Sequence, residues 1–366
     1  MCLLKWPAWI LTSLGLWGLG GCIDSEPQSQ DATVAVVQFI EPNTVDSWSM
    51  PEPLLFDTAS NFAEGLAAIR WSNRFGYINA AGSLTVTVAD ESVEVVGDFS
   101  EGRAVARAGD YYGYIDATGH WAIKVQFRQA KAFSEGMAAV QVEQKYGFIN
   151  PQGDWIIEPQ FDLAESFSQG LAVIKQDGLH GYVDVLGAVT IPVQFRDAWS
   201  FREDRAVVKV DGRYGYLDPA GEIAIPLTFD GAFSFSEGQA RVRQGDQWGF
   251  VGPDGAFTIE PQFDYASDFS EGQAVVLQKG QWAYINANGE PTITGAFRYA
   301  ADFSEGLAAV QIENQYGYVD LDGNLAIAPQ FQNAGPFSEG LARVQVDGRW
   351  GFIDRTGHLI TGLHGL

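Results

Sequence analysis

The chain has 366 residues, of which 46% are hydrophobic and 13% aromatic, a composition too apolar for a disordered protein. Its 22 Lys and Arg against 46 Asp and Glu give a net charge of −24, which repels phosphate backbones and excludes nucleic acid as an expected partner. Cys2 and Cys22 are the only cysteines, so disulfides, thiolate zinc sites and cysteine nucleophiles are excluded from the rest of the chain.

Residues 1–21 have the pattern of an export signal. Lys5 precedes Trp6–Gly21, a mostly apolar segment without charge. The end of this segment, Leu19-Gly20-Gly21-Cys22, resembles the lipobox of bacterial lipoproteins. The resemblance implies that the chain is cut before Cys22 and that Cys22 carries lipid. The alternative is an uncleaved N-terminal anchor.

Residues 22–53 are predicted to be the lipidated cysteine and a flexible tether. The tether begins with a polar run at residues 24–29, and Pro42, Pro51 and Pro53 interrupt any regular element near its end. Ile23 follows the cysteine, where inner-membrane retention signals of lipoproteins often place Asp. The resemblance therefore favours the outer membrane over the plasma membrane.

Residues 54–366 are predicted to form one tandem array. The phrase Phe-Ser-Glu-Gly, or a close variant of it, returns nine times, marked by Phe62, Phe99, Phe133, Phe167, Phe201, Phe235, Phe269, Phe303 and Phe337. Successive Phe residues are 37 residues apart once and 34 residues apart seven times. A fixed period of this length is typical of a repeat protein, which grows by stacking units.

Each unit is predicted to contain three β-strands. After the phrase, Ala138 and Val140 alternate on one face, and the same small-then-aliphatic pattern recurs in the other units. The second strand is an aromatic-Gly-aromatic run such as residues 146–148, and an Asx-x-x-Gly turn follows it. The third is typified by residues 155–157, and the absence of helical runs predicts an all-β fold.

The arrangement of the units has two alternatives. One unit cannot offset the entropy of ordering its own residues, at about 1–2 kcal/mol each, so every unit must bury its apolar face on its neighbours. An open, solenoid-like superhelix is the favoured arrangement, because closed propellers typically have four to eight blades. A closed β-propeller is the alternative, and it requires residues 54–56 to pair with the last unit.

The pattern resembles the WG-repeat (KWG-repeat) family of bacterial β-repeat proteins. The residues that carry the resemblance are the Trp-Gly pairs Trp248-Gly249 and Trp350-Gly351 within the repeating phrase, over residues 54–361. The family implies an all-β repeat architecture and interaction roles, with no shared catalytic residues.

No catalytic constellation or metal site is predicted. The repeated glutamates, such as Glu135, have two interpretations: a ladder of cation ligands, or acceptors for backbone amides of their own turns, and the amides are favoured because bare stacked carboxylates repel. Residues 320–323 resemble a calcium loop but lack its further ligands. The phrase serines have no histidine at a fixed offset, as a nucleophile would require. We therefore expect no enzyme activity and no cofactor.

Two tryptophans, Trp121 and Trp199, lie outside the repeated aromatic positions and are candidates for a surface groove. The expected function is a lipid-anchored cell-envelope protein that acts as a protein-interaction or scaffold module, with envelope proteins as partners. The alternative is a carbohydrate or peptidoglycan-binding module that uses surface aromatics. A cluster of such tryptophans on one face would favour glycan, and a mixed polar groove would favour protein.

Overall fold

The structure, a computed structural model, describes residues 53–361. The predicted signal, Cys22 and almost all of the tether lie outside these residues. The described part is all-β, as predicted, and consists of nine antiparallel sheets, or blades. No helix among residues 53–361 is long and apolar enough to cross a membrane.

Strands follow the chain order across each blade. Blades 1 to 3 contain β1 Thr58–Ala59, β2 Leu66–Trp71, β3 Arg74–Asn79, β4 Leu84–Thr87; β5 Val93–Ser100, β6 Arg103–Ala108, β7 Tyr111–Ile115, β8 Trp121–Phe127; β9 Gln129–Ala130, β10 Ala138–Val142, β11 Lys145–Ile149 and β12 Trp155–Phe161. Blades 4 to 6 contain β13 Leu163–Ala164, β14 Leu171–Gln176, β15 Leu179–Asp184, β16 Val189–Phe195; β17 Asp197–Ala198, β18 Ala206–Val210, β19 Arg213–Leu217, β20 Ile223–Phe229; β21 Gly231–Ala232, β22 Ala240–Gln244, β23 Gln247–Val251 and β24 Phe257–Phe263. Blades 7 to 9 contain β25 Tyr265–Ala266, β26 Ala274–Gln278, β27 Gln281–Ile285, β28 Pro291–Thr294; β29 Phe297–Ala300, β30 Leu307–Ile312, β31 Gln315–Asp320, β32 Leu325–Phe331; β33 Asn333–Ser338, β34 Leu341–Val346 and β35 Arg349–Ile353.

The prediction of three strands per unit missed one short strand. In most blades this first strand has two residues, such as Leu163–Ala164, and it precedes the phrase. Two residues are too few to show an alternating pattern, so no strand could be predicted there from the sequence. The phrase itself forms the tight turn between the first and second strands, with Ser134 and Met137 exchanging both backbone hydrogen bonds around Glu135-Gly136.

The aromatic-Gly-aromatic triplet is explained by the shape of the fourth strand. In blade 3, Phe148 pairs with Ile157 whereas Tyr146 pairs with Phe161, so β12 bulges between these two points. A Cβ atom added at Gly147 would lie 2.4 Å from the Ile157 carbonyl oxygen, which is closer than a side chain tolerates. Glycine is therefore required wherever the fourth strand bulges over the third.

Blade 7 departs from this arrangement where its sequence departs. Ala283 replaces the central glycine, and it pairs directly with Thr294 without a register shift between them. The fourth strand ends at Thr294, and Phe297 pairs instead with Ile312 of blade 8. The space that a glycine would keep free is therefore not needed in this blade.

The ring of blades is closed by the N-terminal segment. The ninth blade has three named strands, and Phe56 forms an additional antiparallel bridge with Trp350. This bridge occupies the same register as Tyr146 with Phe161 in blade 3. The fold is therefore a closed, nine-bladed β-propeller, and the open superhelix that the sequence favoured was wrong. The alternative prediction, a closed β-propeller, was correct. It required residues 54–56 to pair with the last unit, and Phe56 does so.

The hydrophobic core lies between neighbouring blades. Phe148 of blade 3 packs its ring against Phe167 of blade 4 with centroids 4.7 Å apart, and the same pair recurs at every blade boundary. The boundary between blades 9 and 1 has it too, with Phe352 and Phe62 rings 5.0 Å apart. Such aromatic pairs contribute about 0.5–1.5 kcal/mol each beyond the burial of their area. Closure thus gives the terminal blades the same core contact as internal ones.

Candidate interaction surface

Each phrase glutamate bonds to the turn of the next blade. The Glu135 carboxylate accepts hydrogen bonds from the backbone N–H groups of Gln169 at 2.7 Å and Gly170 at 2.9 Å. The equivalent contact is made by Glu64, Glu101, Glu203, Glu237, Glu271, Glu305 and Glu339. The prediction that these carboxylates accept backbone amides is confirmed, but the assignment to their own turns was wrong. The Gly136 N–H is already taken by Glu101 of the preceding blade.

The phrase serines make a second set of bonds between blades. The Ser134 hydroxyl donates to the Phe167 carbonyl oxygen at 2.8 Å, and six other blades repeat this bond. Blade 5 carries Arg202 at this position and blade 1 carries Ala63. The repeated hydroxyls are thus structural, as expected from the lack of a matching base.

Three histidines lie in the described part of the chain. His120 and His358 contact the threonine hydroxyls of their own turns, and His180 contacts the Arg196 carbonyl oxygen at 3.0 Å. His364 lies outside the described residues. None of the three contacts a phrase serine.

The segment that resembles a calcium loop forms an Asx turn. Asp320 Oδ1 accepts the N–H groups of Asp322 and Asn324 at 3.1 Å and 2.8 Å. The side-chain amide of Asn324 and these backbone donors hold the pKa of Asp320 below its usual range. The carboxylate is therefore occupied by its own turn. Within residues 53–361, no group of three or more His, Cys, Asp or Glu side chains could hold a metal ion.

Departures from the repeat in blades 4 to 6 converge on one cavity. It has a volume of about 530 Å³. Arg202, Glu203, Phe233 and Asp268 line it together with Gln169. Arg202 stands where most blades have serine, and Gln169 stands where every other blade has glutamate. The cavity is therefore an irregular part of the ring.

Two departures on the rim of this cavity compensate each other. Asp204 replaces the turn glycine of blade 5 and has a φ of 56°, a left-handed conformation that favours glycine. Its N–H donates to Gln169 Oε1 at 3.1 Å, and the Gln169 amide nitrogen lies 3.4 Å from Asp204 Oδ1. A glutamate at 169 would place a second carboxylate against Asp204. The neutral amide is thus required by the aspartate opposite it.

Arg241 contacts two of the residues that line the cavity, Phe233 and Asp268. Its guanidinium lies 3.6 Å from the ring centroid of Phe233, and its Nε lies 2.8 Å from Asp268 Oδ1. It also donates to the Ala266 carbonyl oxygen at 2.6 Å. Burial raises the pKa of Asp268, and the neighbouring Arg241 and Arg202 guanidinium groups offset part of this rise. The ion pair of Arg241 and Asp268 is thus in contact with the exposed ring of Phe233.

Exposed aromatic side chains are concentrated in the same blades. Trp199, Phe233, Tyr265 and Tyr299 are 40–43% exposed and belong to blades 5, 6, 7 and 8 in succession. Each lies in or just after the first strand of its blade. Each also contacts an aromatic ring of the third strand, at the position just before the central residue of the aromatic-Gly-aromatic triplet. In blade 5, for example, the ring centroids of Trp199 and Tyr214 are 5.8 Å apart. These four form a row along one part of the ring.

The sequence identified one member of this row. Trp199 lies at the surface, as predicted, but Trp121 is half-buried and its indole N–H donates to Asp90 Oδ2 at 2.8 Å. Phe233, Tyr265 and Tyr299 were missed. A column-by-column comparison of the units would have found them, since the other blades carry mostly small or polar residues two and four positions before the phrase Phe.

Comparison with known protein families identifies the type of these repeats. The sequence profile described as "WG containing repeat" matches seven consecutive segments: residues 112–146, 146–179, 181–214, 214–248, 248–282, 282–316 and 316–350. The chain belongs to the WG-repeat family. The segments cover residues 112–350, and in the structure blade 1 and the first two strands of blade 2 precede them. No curated protein matches the chain.

Solved structures share the fold at low sequence identity. A eukaryotic initiation factor is 10% identical with a TM-score of 0.60, over 81% of this chain and 95% of that one. PorZ, a bacterial surface component of the type-IX secretion system of Porphyromonas gingivalis, is 10% identical with a TM-score of 0.31, over 83% of this chain and 52% of that one. An extracellular domain from B. thetaiotaomicron is 12% identical with a TM-score of 0.33, over 84% and 53%. The likeness to the initiation factor shows a common fold and nothing about function.

Proposed function

We propose that this protein is a lipid-anchored component of the bacterial cell envelope, with the outer membrane favoured, whose propeller binds an envelope protein as an interaction or scaffold module. The observation that carries the proposal is the row of exposed aromatics in blades 5 to 8 beside the irregular cavity. Contiguous exposed aromatic surface rimmed by polar groups is typical of protein interfaces. We propose no catalytic residues, cofactor or metal.

The chemistry of the surface supports a protein partner over a glycan. Phe233 of the aromatic row lines the same cavity as Arg202, Glu203 and Asp268, so an apolar anchor and both signs of charge are available within one region. Interface hot spots combine aromatic residues and arginine in this way. The two out-of-register tryptophans are in blades 2 and 5 rather than side by side, so the cluster that would favour glycan stacking is not formed. Glycan binding remains the second candidate because the exposed rings themselves suit sugar faces.

Photo-crosslinking in living cells tests the surface. A photoreactive phenylalanine derivative replaces Phe233, and a matched control places it at Ile156, which is exposed to 47% in blade 3. A protein adduct from position 233 that is absent from position 156 supports the proposal. Identical adducts at both positions, or retention of the purified protein on isolated peptidoglycan with no adduct at 233, would overturn it.

The anchor is tested separately. Replacing Cys22 with alanine is expected to block processing between Gly21 and Cys22 and to leave a precursor that retains residues 1–21. Mass spectrometry of the membrane fraction measures this. Normal maturation of the variant, with unchanged partition into the membrane, would contradict the lipid anchor.

A further inference from the structure

Four aromatic rings of blades 7 and 8 are in continuous contact. Trp282 lies between Tyr265 and Tyr299, with centroid distances of 5.5 Å and 5.9 Å, and Tyr299 also contacts Tyr316 at 6.2 Å. The planes of neighbouring rings meet at 62–67°, so the rings do not stack on each other. Because Tyr265 and Tyr299 are 40% and 43% exposed, this aromatic cluster presents ring surface to solvent.

The equivalent rings of blades 1, 5, 6 and 9 are covered by a cation from the protein itself. In blade 5 the Lys209 ammonium lies 4.9 Å from the Tyr214 ring centroid. In blade 6 the Arg243 guanidinium lies 5.9 Å from Trp248, and in blade 9 that of Arg343 lies 5.0 Å from Trp350. Arg70 lies over Phe75 in blade 1 in the same way. Four of the nine blades thus place a cation over this ring, from the residue paired with it in blades 1, 5 and 6 and from two residues earlier in blade 9.

Blades 7 and 8 lack that internal cation. The residues that correspond to Lys209 and Arg243 are Leu277 and Gln311, and no Lys or Arg of residues 53–361 lies over the rings of the aromatic cluster. Arg298 precedes Tyr299 in the chain, but its guanidinium is directed to the Asn314 side chain at 3.3 Å. Blades 7 and 8 thus share four connected aromatic rings and place no positive charge over them.

A carboxylate lies beside the cluster. Asp302 is exposed and follows Ala301, whose carbonyl oxygen accepts the Tyr284 hydroxyl at 2.8 Å. Burial raises the pKa of Tyr284 and of Tyr299, and the nearby Asp302 carboxylate adds to the rise at both. An aromatic surface with an adjacent carboxylate attracts an organic cation, since the ring faces and the carboxylate are both negative. The net charge of −24 adds a long-range attraction for positive partners.

We propose that the aromatic cluster of Tyr265, Trp282, Tyr299 and Tyr316, with Asp302, binds an alkylammonium cation supplied as a lysine side chain of the partner protein. This inference rests on the proposed interaction role and gives its recognition chemistry. In the complex, the lysine takes the place that Lys209 holds over Tyr214 in blade 5. Its ammonium group pairs with Asp302, and its methylene chain lies on the rings.

Fluorine NMR of the full chain labelled with 5-fluorotryptophan tests the site, with signals assigned by Trp→Phe variants. The probes are N-acetyl-lysine methylamide and choline. The neutral controls are N-acetyl-norleucine methylamide, which lacks the ammonium group and keeps a four-carbon side chain, and 3,3-dimethylbutan-1-ol, which has the same shape as choline. Trp248 and Trp350 are internal controls because arginine already covers them. We expect the lysine derivative to shift the Trp282 signal saturably while these two signals stay unchanged.

Two variants check the assignment. Tyr299→Leu removes an exposed ring and Asp302→Asn removes only the charge, and each is expected to weaken binding roughly five-fold. Equal shifts from the neutral probes, equal shifts of all three tryptophans, or no shift would overturn the proposal. A response to choline alone would overturn the lysine source and assign the site to a small quaternary ammonium ligand. If position 233 still crosslinks a protein while Trp282 shows no response, the interaction role stands and this inference fails.

Discussion

Phe56 and Trp350, near opposite ends of the described chain, exchange two backbone hydrogen bonds of 2.7 Å and 2.9 Å. Phe56 is fully buried and fills the position that Phe161 fills in blade 3. The N-terminal segment therefore completes the last blade, and the ends of the repeat array meet in one sheet.

Phe56→Ala is expected to destabilise the protein by about 3–5 kcal/mol, the usual cost of removing a buried phenylalanine side chain. Phe161→Ala is the matched control, because Phe161 is 1% exposed and lies within one blade. Denaturant unfolding of both variants measures the two losses. Equal losses are expected for a closed ring, whereas a loss well under half that of Phe161→Ala would contradict closure through Phe56.

The glutamate links give a second test of closure. Glu339 accepts a hydrogen bond from the Gly65 N–H at 2.9 Å, across the boundary between blades 9 and 1. Glu339→Ala, which removes the acceptor of this one bond, should therefore cost about 1 kcal/mol, and Glu135→Ala, which removes the acceptor of two such bonds, should cost somewhat more. Glu135→Gln should cost less, since Gln169 already accepts such a bond through its amide oxygen. A silent Glu339→Ala beside a destabilising Glu135→Ala, in thermal melts, would show that the ring opens at this boundary.

The third prediction concerns the central glycine. Gly147→Ala is expected to be severely destabilising, by several kcal/mol, because its Cβ would meet the Ile157 oxygen at 2.4 Å. The reciprocal change Ala283→Gly should cost only about 0.5–1 kcal/mol, the ordinary entropic penalty of a glycine. Circular dichroism melts compare the two. Similar costs would mean that the bulge of β12 can move aside.

The sequence was sufficient for the period, the number of units and most strands, because these follow from alternation and turn residues that recur at fixed spacing. Closure was not predictable, since residues 54–56 alone do not show which partner strand they meet. The direction of the glutamate bonds was also beyond sequence reasoning: the carboxylate of Glu135 reaches Gly170 of the next unit, and a single unit contains no sign of this. Of the candidate surface, only Trp199 was predicted from the sequence. Phe233 and Tyr299 were missed because only tryptophans outside the repeated aromatic positions were considered as surface candidates.

The pairing of Gln169 with Asp204 gives a fourth prediction. Gln169→Glu alone should destabilise the protein by about 1 kcal/mol, because two carboxylates then face each other where an amide nitrogen now lies 3.4 Å from Asp204 Oδ1. In the background of Asp204→Gly the same change should be neutral or favourable, since it restores the usual glutamate-to-glycine link. A double-mutant cycle measures the coupling between the two positions. Additive effects would contradict a direct contact.

The last prediction links stability to the candidate surface. Arg202 occupies the position at which seven blades carry a serine that donates to the next phrase Phe carbonyl oxygen, as Ser168 does to Phe201 at 2.7 Å. Arg202→Ser should add the missing bond to the Phe235 carbonyl oxygen and raise the free energy of unfolding by about 0.5–1.5 kcal/mol. Ser168→Ala, the matched control, should lower it by a similar amount.

The same variant should lose partner binding, because it removes the arginine that lines the cavity beside Phe233. A residue that binds a partner can be kept for its function even though another residue at that position would make the protein more stable. Unfolding in urea and crosslinking through position 233 are measured on one preparation of the Arg202→Ser variant. A more stable protein with weaker crosslinking supports the assignment of this cavity to the interaction surface. Greater stability with undiminished crosslinking would place the partner elsewhere on the ring.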